Sequence, residues 1–550
     1  MPYSASGKSG EYHTLVEFVL DSTTLRYADE DLSIQHSNAT GFFYAGKLVG
    51  GGTLVRDLGT FVEPHESVHN LDLNIDNNDG AIANLIVDKP FANRRVRVWV
   101  GEGVKKSQYS EVFSGFVAHP NGISWDEDEA SFTIIDQRIR HRRVFPASRF
   151  TAVPTIESKA KNQPIPIIYG DWGLSAGSGN GSVSVPVMCN DMISSQKRFK
   201  IADHGLHSLS TVLKNGVALN MTTQVNNSCL STATFRIATA VAYDATLDVM
   251  SVNCKGLKTI NGTLIERPMD VLRHIHTAWL GLTATDLNVT AYHNVNVSGT
   301  ESEVVRRFIA TEISSEQLIK ELLNESQVDI RFIGGKYSPK YRDIEVDATR
   351  SAFRDVDIML ADEQSEKAVF SVVKDPDRFF ANKARTYYRY DPVNTKYDGS
   401  YTRQVTTSVS EVTAIVERFI EFNWYYRTTE TENRVDRELA TFTKEPVNIR
   451  FKSGLRGSLL NLADQIDVTY NVFTDQPVQI RRLETDLFKM QTNVSGYNLF
   501  MFGMGRWTAA GAPAWNAATR EERGSQGFWC TSNGFASAAD ASSQNVSRWS

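Results

Sequence analysis

The stretch Arg95-Val-Arg-Val-Trp-Val100 alternates charged residues with β-branched and aromatic ones. An alternation with a period of two is typical of a strand that buries one of its faces. Leu71-Asp-Leu-Asn-Ile75 and Ser131-Phe-Thr-Ile-Ile135 carry the same pattern on either side of it. The first 170 residues are therefore predicted to be mostly strand, arranged as a β-barrel or a sandwich.

Turn signals separate these strands. Asn77-Asn-Asp-Gly80 and Asn121-Gly122 are both typical of tight turns. Asn121-Gly122 predicts a hairpin that joins residues 112–117 to residues 123–125. The acidic cluster Asp126–Glu129 is interpreted as a solvated turn rather than an acid–base pair, because adjacent carboxylates are common in a chain with 64 acidic residues.

Beyond residue 170 the pattern changes. Residues 173–182 are nearly all Gly, Ser, Ala and Asn, which indicates a linker or an exposed loop. Strand patterns then continue to about residue 262. Pro268 suits the first position of a helix, and Ser314 with Gln317 matches the capping box of a second helix. Strand patterns resume from Pro446.

The sequence therefore predicts a mainly β, multidomain chain with an α+β middle. Its Trp-bearing C-terminal end, rich in Ala, Gly, Ser and Asn, cannot form a core of its own. The predicted segments are a barrel domain at 1–172, a β-rich insert at 173–262, an α+β domain at 263–440, a C-terminal β-barrel segment at 441–508 and an extended tail at 509–550.

Composition restricts the class of protein. The chain has 550 residues, 41% of them hydrophobic, and a formal net charge of -6, so no basic surplus points to a nucleic acid as the main partner. Its four cysteines make no disulfide framework. The N-terminal residues lack the apolar segment of a signal peptide, and no apolar run is long enough for a membrane span. We therefore expect a soluble protein that folds in a reducing cytosol.

Gly173-Leu-Ser-Ala-Gly177 is a formal match to the nucleophile elbow of serine hydrolases, with Ser175 as the nucleophile. An elbow requires a helix directly after the serine. Ser175 is followed by a glycine-rich run that does not support a helix. We therefore interpret Ser175 as a loop residue.

His65-Glu-Ser-Val-His69 is a complete H-E-x-x-H sequence, which on a helix would bind zinc through His65 and His69 and place Glu66 beside a metal-bound water. The strand at Leu71 begins two residues later, and no amphipathic helix frames the motif. His274 and His276 are two positions apart on a predicted helix, so they point in different directions. The sequence assigns no catalytic residue, cofactor or metal site, and His65, Glu66 and His69 remain the candidate metal ligands.

Several segments together resemble the baseplate hub, or tail-tip, proteins of tailed bacteriophages and of gene-transfer-agent-like tails. The resemblance covers most of the chain through loose motifs. They are residues 71–80, Phe113-Ser-Gly-Phe-Val117, Phe132-Thr-Ile-Ile-Asp136, Pro164-Ile-Pro-Ile-Ile-Tyr-Gly170, residues 268–275, the predicted helix from Ser314 to Glu325 with the following Gly334-Gly335, Leu462-Ala-Asp-Gln-Ile-Asp-Val468 and the end segment 527–537.

This resemblance implies tail-tube-like barrels, two in each subunit, and a homotrimer at the distal end of a phage tail, with a long non-contractile tail favoured. The trimer would join the hexameric tail tube and distal tail proteins to the tip, fibre or receptor-binding proteins. It would also close the channel until DNA passes through its lumen. The implied location is the virion tail tip, after synthesis in the host cytoplasm, and no enzyme activity is implied.

Two alternatives belong to other functional classes. One is a tail-associated zinc metallopeptidase or hydrolase that uses His65, Glu66 and His69. The other is a host-surface glycan-binding adaptor, in which exposed aromatic side chains of the same β-domains would contact sugars.

Overall fold

A computed structural model of the chain describes residues 12–21, 23–36, 40–58, 70–136, 142–151, 155–173, 183–296, 303–342, 350–359, 369–374, 380–406, 408–409, 413–442, 447–470 and 473–498, together with two short strands at 528–529 and 547–548. Strands contain 47% of the residues and helices contain 16%. The predicted mainly β fold class is therefore confirmed.

The N-terminal part forms a large antiparallel sheet, ordered β2-β1-β8-β9-β11-β7-β5, with β10 paired to β11 and a separate hairpin of β3 and β4. Among the described strands this order is an open path, so the closed barrel of the prediction is not found there. The elements are β1 (Tyr12–Val19), β2 (Thr24–Ala28), β3 (Leu32–Gln35), β4 (Gly41–Tyr44), β5 (Leu48–Gly51), β6 (Thr53–Asp57), β7 (Asn70–Asp76), α1 (Ala81–Asp88), β8 (Arg95–Glu102), a 3-10 turn (Lys106–Gln108), β9 (Tyr109–Val117), β10 (Ile123–Trp125) and β11 (Glu129–Asp136).

Strand β1 is buried on both faces because two layers cover it. Val16 and Phe18 face the main N-terminal core, whereas Leu15 faces a second core beneath the β3–β4 hairpin. Successive side chains of a strand point to opposite faces, so β1 contributes to both cores at once. The strands predicted from the alternating pattern are therefore found in the sheet. The pattern does not predict the second layer, in which the β3–β4 hairpin covers the other face of β1.

Two local predictions are wrong. The Asn121-Gly122 turn does not join a paired hairpin: β9 pairs with β8 and β11, and β10 pairs with β11 alone. Both edges of β9 are already occupied, so β10 has no free edge to join. The turn at Asn77–Gly80, predicted to lie between strands, leads into helix α1 instead. A short apolar run such as residues 81–87 does not by itself distinguish a helix from a strand.

The following segment contains two four-stranded sheets, β14-β21-β17-β18 and β15-β16-β20-β19, around one apolar core. The turn at Lys214–Val217 joins β17 to β18. The elements are β12 (Val144–Phe145), a 3-10 turn (Ser158–Ala160), β13 (Ile167–Tyr169), β14 (Val185–Pro186), β15 (Met188–Asp191), β16 (Arg198–Lys200), β17 (Ser208–Lys214), β18 (Val217–Ala218), β19 (Val225–Cys229), β20 (Thr234–Ile237) and β21 (Met250–Lys255).

The central part holds most of the helices and the largest apolar core. Both predicted helix starts are confirmed, with Pro268 as the first residue of α2 and Ser314 as the N-cap of α4. The elements are α2 (Pro268–His274), a π-helical turn (Ile275–Trp279), α3 (Val289–Val295), β22 (Arg307–Ile309), β23 (Ile313–Ser314), α4 (Ser315–Ser326), β24 (Val328–Ile333), β25 (Lys336–Tyr341), β26 (Ser351–Phe353), a 3-10 turn (Asp355–Asp357), β27 (Phe370–Lys374), β28 (Lys383–Asp391), β29 (Lys396–Gln404), β30 (Glu417–Glu421) and α5 (Thr428–Phe442).

We expect Ser314→Ala to lower the free energy of unfolding by about 1 kcal/mol, because Ser314 caps α4. Its hydroxyl oxygen accepts the backbone N–H of Gln317 at 3.1 Å. The side chain of Gln317 donates to Glu321 at 3.2 Å. Denaturant titration measures the loss, and Ser314→Thr, which keeps the hydroxyl, should recover most of it. Equal losses in both variants would contradict the capping role.

The C-terminal part forms a seven-stranded sheet, ordered β26-β32-β33-β34-β31-β27, and the strands predicted from Pro446 onwards are confirmed. Strand β6 of the N-terminal part is its seventh member and pairs with β33. The elements are β31 (Val447–Ser453), α6 (Leu455–Ser458), β32 (Gln465–Tyr470), β33 (Phe473–Asp486), β34 (Gln491–Asn498), β35 (Phe528–Trp529) and β36 (Ser547–Arg548). In the part of the chain that the structure describes, no helix has the length and apolar character needed to cross a membrane.

Candidate functional site

The two catalytic-looking sequences lie outside the described residues. Ser175 falls within 174–180, and His65, Glu66 and His69 fall within 59–69. Across the described ranges, no group of three or more His, Cys, Asp or Glu side chains is placed to hold a metal ion.

The other side chains named from the sequence occupy structural positions. The acidic turn joins β10 to β11, and the carboxylate of Asp126 accepts the backbone N–H groups of Asp128 at 2.9 Å and Glu129 at 2.8 Å. These bonds lower the pKa of Asp126. His274 contacts the hydroxyl of Tyr169, whereas His276 contacts that of Tyr292, so the two imidazoles face different partners.

The N- and C-terminal sheets exchange elements with each other, and we call this exchange the interlock. Its first half is β6, which pairs antiparallel with β33 from Thr53 opposite Asp486 to Asp57 opposite Arg482. Leu58 follows β6 and is fully buried in the core of the C-terminal sheet. A strand from the start of the chain thus completes a sheet built from its end.

The second half of the interlock runs in the opposite direction. Leu487, in the turn after β33, is fully buried in the N-terminal core. Its carbonyl oxygen accepts the hydroxyl of Thr14 at 2.8 Å. The neighbouring Phe488 lies so close to Gly51 that a Cβ at that glycine would be 2.6 Å from the ring. Each sheet therefore inserts a leucine into the core of the other.

A buried ion cluster fastens the interlock to the central hairpin of β24 and β25. The carboxylate of Asp329 accepts Nη2 of Arg342 at 2.9 Å on one oxygen and Nη1 of Arg481 at 2.8 Å on the other. Arg481 also donates to the carbonyl of Leu58 at 3.2 Å. Burial alone would raise the pKa of Asp329, but the two guanidinium groups hold it below its usual 3.8. Asp329 therefore stays ionised and joins three separate segments of the chain.

Two further arginines attach the same hairpin to β6 and to the loop before β32. Arg56 of β6 donates to the carbonyl of Phe332 at 3.2 Å. Arg331 donates to the carboxylate of Asp464 at 2.6 Å and to the carbonyl of Leu462 at 3.1 Å. The central part is thus bonded to the strand from the N-terminus and to the loop before β32.

A second junction connects the central part to the β-rich insert, and we call its two strands, β13 and β22, the shared ribbon. They pair antiparallel, with Ile168 opposite Phe308. Ile168 and Phe308 face the core of the insert, whereas Ile167, Tyr169 and Ile309 face the central core. Because the side chains of a strand alternate, one two-stranded ribbon serves two cores.

Gly170, the residue directly after β13, is packed too tightly to carry a side chain. Gly170 has a left-handed backbone, with a φ of +74°. A Cβ at Gly170 would lie 2.2 Å from the carbonyl oxygen of Val305. The guanidinium of Arg306 lies over the ring of Trp172 at 4.5 Å and over that of Tyr426 at 4.3 Å. No local pattern in the sequence predicts that this stretch joins two cores.

The end of α4 is bonded to the loop that leads to α5. The carboxylate of Glu325 accepts the backbone N–H groups of Asn423 and Trp424, both at 2.8 Å, and of Tyr425 at 3.3 Å. Burial raises the pKa of Glu325 to about 8, against the lowering effect of these bonds. No local pattern in the sequence distinguishes Glu325 or Asp329 from a surface carboxylate, since only long-range contacts bury them.

Comparison with known proteins finds similarity among solved structures. No protein-family model and no curated protein matches the chain. A tail protein from Neisseria meningitidis MC58 is 9% identical, covers 88% of this chain and 96% of its own, and has a TM-score of 0.35. The 43 kDa tail protein of prophage MuSo2 from Shewanella oneidensis is 10% identical, with coverages of 89% and 99% and a TM-score of 0.36.

A chain from the virion of a native gene transfer agent particle is 10% identical, covers 64% of this chain and 89% of its own, and has a TM-score of 0.40. The structural neighbours are thus tail and virion proteins, the class that the sequence resemblance names.

Proposed function

We propose that this chain is a structural virion protein, the hub of a phage tail tip or baseplate. In this proposal it assembles as a homotrimer that joins the hexameric tail tube to the tip or fibre proteins and controls the exit of DNA. The sequence resemblance suggests this role, and the observation that supports it is the interlock. The predicted domains at 1–172, 173–262, 263–440, 441–508 and 509–550 belong to the same proposal.

The interlock suits a protein that connects other proteins. A hub needs its two tube-like units held at a fixed spacing, so that three subunits can present six units to the tube. Reciprocal insertion of Leu58 and Leu487 buries apolar surface in both directions. Such burial stabilises by about 25 cal/mol per Å² of apolar area. The proposed role needs rigid packing rather than a catalytic group, and we infer that the chain is not an enzyme.

Charge fits the proposed passage of DNA. The chain has a formal net charge of -6, and tight binding to phosphates needs a positive surface. A lumen without that surplus would let DNA pass without retaining it. The proposed partners are the tail tube, distal tail proteins and receptor-binding proteins, and the proposed location is the tail tip of the virion.

Electron microscopy of the purified full-length protein, with its mass in solution, tests this proposal. We expect a ring with threefold symmetry and a mass three times that of the 61.4 kDa chain. Particles carrying a labelled copy should show the label at the distal end of the tail. A monomer at all concentrations, or a label along the tail shaft, would count against the hub.

The two alternatives have separate tests. Elemental analysis should find no stoichiometric zinc in the purified protein, and His65→Ala should leave the metal content unchanged. Zinc that is present in the wild type and lost in His65→Ala would favour the metallopeptidase. Selective binding on a glycan array would favour the host-surface adaptor.

A further inference from the structure

Two half-buried histidines lie against the same strand of the shared ribbon. His204 contacts its backbone: the N–H of Ile168 donates to Nε2 of His204 at 2.9 Å. The other ring nitrogen, Nδ1, lies 2.9 Å from the carbonyl oxygen of Gly205. Because a carbonyl can only accept, the proton lies on Nδ1 and Nε2 must accept. This geometry requires a neutral imidazole at His204.

His274 contacts the next residue of the strand. The indole N–H of Trp279 donates to the hydroxyl oxygen of Tyr169 at 2.9 Å. That hydroxyl lies 3.0 Å from Nδ1 of His274. Since the indole can only donate, Tyr169 accepts from Trp279, and Nδ1 of a neutral His274 can accept the hydroxyl proton of Tyr169.

The surroundings keep both rings uncharged at neutral pH. Burial lowers the pKa of His204 to about 4, and the other charged groups acting on it are Asp203, Lys200 and His274. Burial likewise lowers the pKa of His274 to about 4. His274 packs edge-on against the rings of Tyr169 and Trp279. The two accepting nitrogens are therefore preserved by the same apolar packing that the ribbon supports.

We propose that the shared ribbon is an acid-released latch between the β-rich insert and the central part of the chain. A proton on His204 sets its Nε2–H against the N–H of Ile168. A proton on His274 turns Nδ1 into a donor, so that nitrogen can no longer accept the hydroxyl proton of Tyr169. Because Ile168 and Tyr169 point into different cores, these two events loosen the insert and the central part from each other. The inference does not depend on the proposed tail function.

The sign of the pH dependence follows from the two lowered pKa values. The unfolded imidazole has a pKa of 6.5, whereas the folded one has a pKa of about 4. Between these values the unfolded state binds protons that the folded state does not bind. The stabilisation by the latch is fully present above pH 6.5 and is lost as the pH falls from 6.5 towards 4. Release is thus expected at mildly acid pH, before Asp329 is protonated, since its pKa lies below 3.8.

Hydrogen exchange of the full-length protein, followed by mass spectrometry and corrected for intrinsic rates, tests the latch. We expect protection of the amides at 167–173 and 305–309 to fall about tenfold or more between pH 7 and pH 4.5. The double variant His204→Gln/His274→Gln, which cannot titrate, should change less than about threefold over the same range. His293→Gln, at an exposed position on α3, is the matched control and should behave as the wild type does.

An equal acid loss in the double variant, or no loss in the wild type above pH 4, would overturn the proposal. Titration of the wild-type imidazoles by NMR gives a readout that does not depend on whether the double variant folds. Resonances of His204 and His274 that titrate near pH 4 support the latch. Titration near 6.5 in the folded protein would overturn it.

Discussion

Asp329→Asn is expected to lower the free energy of unfolding by about 3–5 kcal/mol, the usual cost of breaking a buried ion pair by removing one partner. The asparagine keeps the shape of the side chain but removes the charge between Arg342 and Arg481. Its amide group would also direct N–H donors at one of the guanidinium groups. Both arginines would then remain buried without their counter-charge. The ion pair that connects the central hairpin to Arg481 of the interlock would be lost.

Asp57→Asn is the matched control for this change. Asp57 pairs with Arg482 at 3.4 Å, one residue along β33 from Arg481, but the side chains are 23% and 47% exposed. Exposed pairs contribute about 0–1 kcal/mol, so a small loss is expected. Urea titration of both variants provides the comparison. Losses of equal size would show that burial of the Asp329 cluster does not determine its contribution.

The Asp329 cluster also has its own pH window. Because the folded pKa lies below 3.8, its stabilisation is present above that value and is lost as the pH falls through the folded pKa. This window lies below that of the two histidines. Acid unfolding of the wild type is therefore expected in two steps, with the shared ribbon affected first. In Asp329→Asn the second step, which comes from protonation of Asp329, should be absent.

Gly170→Ala should have the second large effect, about 2–5 kcal/mol. A left-handed backbone costs an alanine about 1–2 kcal/mol, and overpacking adds about 1–3 kcal/mol. The added methyl group would lie 2.2 Å from the carbonyl oxygen of Val305 and 2.7 Å from Cβ of Arg306. This contact can be relieved only if Gly170 and the segment at Val305 and Arg306 move apart.

Gly216→Ala separates the backbone cost of the substitution from the cost of overpacking. Gly216 has a φ of +80°, close to that of Gly170, but nothing lies within 4 Å of an added Cβ. We expect this control to cost only the backbone part, about 1–2 kcal/mol. Thermal or denaturant unfolding measures both variants. If Gly216→Ala is as destabilising as Gly170→Ala, the close packing at Val305 is not the reason for the loss.

Local sequence patterns predict the elements of this fold well. Alternation predicted β7, β8 and β11, and capping residues predicted the starts of α2 and α4. These predictions succeed because they depend on contacts between residues close in sequence. The short apolar run of α1 is the exception, since a run of that length is compatible with either a helix or a strand.

Pairing between distant elements could not be predicted in the same way. The Asn121-Gly122 turn predicted the wrong partner for β10, because the occupancy of both edges of β9 is a property of the whole sheet. The pairing of β6 with β33 joins residues more than 400 positions apart, such as Asp57 and Arg482. Burial of Asp329 and Glu325 likewise depends on distant partners, so neither residue stands out in the sequence.

The interlock also sets the order in which the chain can mature during synthesis. The ribosome delivers the N-terminal strands first, but Leu487, which completes their core, follows some 350 residues after the end of β11. At about 5–20 residues per second, this delay is on the order of tens of seconds. During that time β6 lacks β33, and its open edge is available to other nascent chains. We therefore expect truncation before residue 447 to yield aggregation-prone fragments, and chaperone demand to end when β33 and β34 emerge.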